Sequence, residues 1–115
     1  MNNNQTVPGI GPGAWDSAIL AREQERKALN TAIVYRLYTE DSRNLAELTS
    51  RYFAGATIVY GTGLWMGVVE TSAVIEIVAT AADLQPIIHL AGDIKVQNHQ
   101  SSVLVTWQNV SRLEV

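Results

Sequence analysis

Two histidines, at positions 89 and 99, are the side chains of this 115-residue chain best suited to exchange a proton at neutral pH. His99 stands in the polar run NHQ, which reads as a solvated turn. His89 stands in IIHLAGDIKV, between apolar residues, and is the histidine expected to lie inside. A histidine in a dry pocket can take a proton next to a carbonyl or orient a water. It can equally be a buried histidine whose ring hydrogen bonds are simply satisfied. Asp41, in YTEDSRN, has two readings as well: a pocket carboxylate, or an acceptor for the first N–H groups of a following helix. Tyr60 is a pocket hydroxyl or a strand aromatic with its tip in water. Trp65 and Trp107 are the large apolar surfaces suited to line a cavity, or else ordinary core. Tyr38 and Tyr35 lie close enough to Asp41 in sequence for one of them to reach the same pocket mouth.

Other chemistries lack their residues. There are no cysteines, which excludes disulfides and thiolate chemistry. No His-x-His or Glu-x-x-His pattern offers a metal site, so no metal or cofactor is expected. The glycines of GTG at 61–63 sit between two strand-like runs rather than before a helix, so they do not form a phosphate loop. No serine stands in a strand-to-helix elbow.

The elements that must position these residues follow from composition and pattern. Hydrophobic residues make up 47% of the chain and charged residues 17%, a globular balance, and the length suits one domain. Net charge is −3 and the eight Lys and Arg are scattered, which argues against nucleic acid as a partner. No apolar run approaches the ~20 residues of a membrane helix, and the polar start is unlike a secretion signal, so a cytoplasmic location is expected. Residues 1–13, rich in Pro and Gly, read as a flexible arm before a domain spanning 14–115. Trp15 would pack that arm down or anchor an interface.

Ile19, Leu29, Ile33 and Leu37 recur at three-to-four spacing and predict a long helix over 16–39. A short helix follows with Leu45, Leu48 and Tyr52 on its apolar side, ended near Gly55. ATIVY predicts a strand, GTG a turn and LWMGVV a returning strand. A third helix is predicted from about 71 to Pro86, with Val74, Ile77 and Val78 on one face. Two long strands over 87–97 and 101–112 complete the chain, the first with a bend at Gly92 and the second with Val103, Val105 and Trp107 on one face. Helices preceding antiparallel strands imply an α+β layer fold.

Four segments in this order resemble the SnoaL-like and scytalone-dehydratase-like branch of the NTF2-like superfamily. They are YTEDSRNLAEL, YFAGATIVY, Gly67 before the third predicted helix, and IIHLAGDIKV. The resemblance covers about ninety residues through short, degenerate motifs. It implies a cone: a curled mixed or antiparallel sheet wrapped by three helices, with a pocket at the open end. By the same resemblance, Asp41 pairs with His89 and Tyr60 holds a water or substrate oxygen; Tyr38, Trp65 and Trp107 are the residues expected to contact the substrate beside them. The implied activity is that of a cofactor-free lyase or isomerase acting on a small apolar, polyketide- or steroid-like compound. The alternative is a non-catalytic binding or assembly domain of the same shape. The pattern departs from the family where Gly55 replaces an Asp, Glu40 a Tyr and Trp107 a second His. Fewer strands follow the last motif than in the family. A free edge there leads to the expectation of a homodimer.

Overall fold

The computed structural model describes residues 30–115. The predicted arm at 1–13, Trp15 and the first half of the predicted long helix lie outside them. Among the described residues two units are distinguished: residues 32–110, and residues 30–31 with 111–115. In the second, Arg112 pairs with Glu114 at 3.5 Å.

The elements are strand β1 (Asn30–Glu40), helix α1 (Leu45–Ser50), strands β2 (Thr57–Trp65) and β3 (Val68–Ala79), helix α2 (Leu84–Gln97) and strand β4 (Leu104–Arg112). They form an α+β fold with one four-stranded sheet in the order β2-β3-β1-β4. This β-α-β-β-α-β succession, with β3 placed between β2 and β1, is the split arrangement known as ferredoxin-like.

Three segments differ from the sequence expectation. Residues 30–40 form a strand instead of the end of a long helix. Tyr35, Leu37 and Thr39 are buried on the helix-bearing face with Ile33 packed beside them, and Ala32 and Val34 are buried on the other face. Their spacing of two outweighs the three-to-four spacing that also fits Ile33 and Leu37. Residues 71–79 form the second half of β3 instead of a third helix. Ala73, Ile75 and Ile77 are buried by the same alternation, in a run of β-branched residues. Residues 87–97 form α2 instead of a long strand. Ile87, Leu90 and Ile94 are buried with Ala91 packed beside them, the spacing of one helix face. The short helix, the ATIVY strand and a strand at 104–112 agree with the sequence reading.

The hairpin turn also moves. GTG lies inside β2, and the chain reverses at Met66 and Gly67, with φ of 48° and 80°. Positive φ at both central residues is what a two-residue hairpin turn of the primed type requires. Methionine is poorly suited to that conformation. Met66→Asn is expected to raise stability by about 1 kcal/mol, read as a shift in thermal midpoint.

Both helices cover one face of the sheet. The core unites Tyr35, Leu37, Ala73, Ile75 and Ile77 with Leu45 and Leu48 of α1 and Ile87, Leu90 and Ile94 of α2. On the opposite face Arg36 and its cross-strand partner Glu76 form an ion pair at 2.9 Å, and Arg36 also donates to Gln108 of β4. The entry to α2 is held by Asp83, whose carboxylate accepts from the backbone N–H and the hydroxyl of Thr80, both at 2.9 Å.

The exit from α2 is a Schellman turn. The N–H of Gln100 donates to Lys95 O at 3.0 Å and that of His99 to Val96 O at 3.4 Å, with His99 at φ 55°. His99 is exposed, at a position that favours glycine. His99→Gly is therefore expected to stabilise the fold by about 1 kcal/mol. The turn places the buried Gln100 side chain where it donates to the buried Thr39 hydroxyl at 2.6 Å.

Candidate functional site

The residues expected to converge on one pocket are separated by the sheet. Asp41 lies on the surface just beyond β1, its backbone N–H donating to Thr71 O at 3.3 Å. It does not cap α1, whose N-cap is Asn44. His89 is exposed on α2 rather than inside a strand, and its aromatic neighbour is Tyr52, at 6.4 Å between ring centroids. No hydrogen bond joins Asp41 to His89 among the described residues.

Register assigns each aromatic to a face. Ile58 and Tyr60 share the helix-bearing side of β2, whereas Trp65 and Val59 share the other. Tyr38 pairs with Val74 on that open side of β1. Trp107 follows Val105 on the helix-bearing side of β4, at the far edge from β2. Tyr60 and Trp107 are each 58% exposed and Trp65 is 68% exposed. Trp65 and Trp107 thus stand on opposite edges and opposite faces, where they cannot wall one cavity.

The structure forms a different polar contact around His89. Tyr52, just past α1, donates its hydroxyl to Asp93 Oδ2 at 2.5 Å. Asp93 stands four residues after His89, so both occupy one side of α2. The hydrogen bond to Asp93, followed by burial, pushes the Tyr52 hydroxyl above its ordinary ionisation range. The stability this confers is fully present below pH ~10 and is lost as pH rises through the raised value. Accordingly Tyr52→Phe is expected to lose less stability between neutral and strongly alkaline pH than the wild type does. Denaturant titrations at the two pH values would measure it. Burial, followed by the Asp83 charge, raises Tyr35 in the same direction. Tyr35→Phe therefore separates the two contributions. Sequence reasoning misses the Tyr52–Asp93 contact because Asp93 belongs to a helix face, whereas the pattern over 87–97 suggests a strand.

Among the described residues, no group of three His, Cys, Asp or Glu is placed to hold a metal ion. No helix among them is long and apolar enough to cross a membrane.

The most unusual surface is the β2–β3 hairpin. Pairing between β1 and β3 stops at Glu40 and Ser72, whereas β2 and β3 stay paired from Thr57 with Glu76 out to Trp65 with Val68. The outer part is therefore a two-stranded arm. Leu64, Trp65, Met66, Val68 and Val69 on it are between 64% and 86% exposed. Leu64 faces Val69 on one side of the ribbon and Trp65 faces Val68 on the other. The candidate site is thus this hairpin surface, with exposed apolar side chains on both faces.

The class that fold and surface define is a small α+β domain with a projecting apolar hairpin. No family model matches the chain, and no curated protein matches it. Among solved structures it is similar to one described as a phage SAM lyase in the apo state. The two are 12% identical, with a TM-score of 0.43 over 71% of this chain and 85% of the other. A likeness of that size says nothing about activity.

Proposed function

We propose that this chain is a non-catalytic assembly domain that works by burying its hairpin arm against a protein surface. The observation that carries the reading is the row of five exposed apolar side chains on a ribbon only two strands wide. Contiguous apolar surface is uncommon on monomers and marks interaction sites. An isolated two-stranded hairpin is also marginal in water, so the arm gains order from a partner. Met66 fits the same reading, because a methionine at positive φ at the tip serves no internal packing purpose.

Methionine oxidation tests this with little interference, since the other methionine is Met1. In radical footprinting, Met66 is expected to react several-fold more slowly inside cells than in dilute purified protein. Equal reactivity in the two settings would sink the assembly reading.

One observation favours a second reading, a cofactor-free lyase or isomerase acting on a small apolar compound. His89 is exposed beside the Tyr52–Asp93 contact, where a substrate can reach it. This alternative is the one that the sequence resemblance to NTF2-like enzymes implies, and its chemistry depends on a pocket. An oriented histidine needs an acceptor within about 3 Å of its ring nitrogen. Asp93 is nearer in the fold to that role than Asp41, but it already accepts from Tyr52. His89→Ala is expected to leave both assembly and stability close to wild type. Loss of turnover of an enolisable carbonyl probe in that variant would favour the enzyme.

A further inference from the structure

We propose that the partner of the arm is a second copy of this chain, joined by antiparallel pairing of β2 with β2 about a two-fold axis, Trp65 of each copy covering Gly61 and Gly63 of the other. The proposal rests on the assembly reading and adds the partner, the strand and the symmetry.

Among the described residues β2 is an edge strand, hydrogen-bonded to β3 on one side. Proteins usually protect such edges with charge, proline or short length. β2 has none of these protections: it is nine residues long, TIVYGTGLW, without a charged residue or a proline.

Gly61 is the second observation. Glycine in a strand interior weakens the strand unless something needs the missing side chain. Gly61 does not have a positive φ, and a Cβ built on it meets nothing within 4 Å. Neither backbone conformation nor packing within the described chain asks for glycine here. What remains is close approach from outside. Gly61, Gly63 and Trp65 lie on the same open face of β2, since their partners Ser72, Glu70 and Val68 alternate along β3. Gly63 is the tighter of the two glycines, its Cβ position 3.2 Å from Ser72 Cβ.

The occupant follows from these features taken together. A side-chain-free track and an aromatic occupy one face of one strand, two to four residues apart. Antiparallel self-pairing reverses the second strand and can set each Trp65 over the other copy's glycines. An aromatic over a cross-strand glycine is a stable sheet pairing. An isologous contact repeats every charge of the patch on both sides, so it favours an uncharged strand. Although the chain carries a net charge of −3, β2 carries none. Val59, Tyr60, Leu64, Trp65, Met66, Val68 and Val69 are all more than half exposed.

The test compares purified full-length wild type with Gly61→Val and Trp65→Ala by multi-angle light scattering over a concentration series. Wild type is expected to be a dimer, with Gly61→Val raising the dissociation constant more than about a hundredfold and Trp65→Ala at least about tenfold. Gly61→Val is expected to keep its circular dichroism spectrum, because the added side chain meets open space. Should that variant fail to fold, Trp65→Ala on the exposed arm still decides. A wild-type dimer that neither variant weakens would overturn the β2 pairing while leaving the assembly reading in place. A trimer or larger ring would overturn the two-fold axis. A monomer at high concentration would overturn the second copy as partner, and the assembly reading would then stand or fall on Met66 protection.

Discussion

Exchanging Leu64 for lysine and Val69 for glutamate in one double variant is expected to raise the dissociation constant of the assembly more than about a hundredfold. These two residues face each other across the arm. Opposite charges at a directly paired position keep the hairpin itself supported. Their cost falls on association, which would have to strip water from both charges. A hundredfold change corresponds to about 2.8 kcal/mol, well within the range of a central interface pair. Light scattering would show a monomer at concentrations where wild type is associated, with the circular dichroism spectrum unchanged. If the variant assembles as wild type does, the arm is not the contact surface.

Ile75→Ala is expected to act in the opposite way, lowering fold stability by about 2–5 kcal/mol. Ile75 is fully buried in β3, an inner strand of the sheet, and belongs to the cluster that both helices cover. Its truncation leaves a cavity between sheet and helices that a two-layer fold closes only in part. For a domain of this size the loss corresponds to a fall in thermal midpoint of at least about 8 °C. Association also stabilises the folded state by mass action, so this comparison belongs at protein concentrations below dissociation. A loss under about 1 kcal/mol would mean that the sheet face and the helices are not packed as described. Together the two variants separate what folds the chain from what joins it to a partner.

The fold is partly legible from residue patterns. α1, with Leu45 and Leu48 inside, and the strand at Thr57 are readable because each has one dominant period and clear breakers around it. β3 is half readable. Its run from Val68 carries Val74, Ile75, Ile77 and Val78, which fit a helix face as well as a strand buried on one side. Only the partner strand decides, because Ile75 and Ile77 lie opposite Leu37 and Tyr35. The segment 87–97 poses the reverse problem. Ile88, Leu90, Ile94 and Val96 alternate well enough to suggest a strand. Yet the positions that are buried are Ile87, Leu90 and Ile94, with Ile88 and Val96 in solvent. An apolar residue on the surface carries no mark in the sequence that distinguishes it from a core residue.

That same ambiguity misdirects the site. Tyr60, Trp65 and Trp107 read as pocket walls because large aromatics are usually inside. On this sheet they project from the two edges. The expected partnership of Asp41 and His89 depends on a strand at 87–97 facing the end of a helix. With β1 extended and α2 helical, no element brings them together. The Tyr52–Asp93 contact is out of reach for the same reason, because it joins the turn after α1 to α2 across 41 residues. The arm is legible in part. The uncharged run from Thr57 to Val69 is visible in the sequence, but its projection beyond β1 depends on where the β1–β3 pairing stops.

In the proposed assembly the β2 edge and the arm are an occupied interface. Amide hydrogen exchange along residues 57–65 of the native protein, compared at concentrations above and below association, tests it most directly. Amides of β2 pointing away from β3 are expected to exchange slowly in the associated state and to speed up by at least about a hundredfold on dilution. Fast exchange of those amides at every concentration would contradict it.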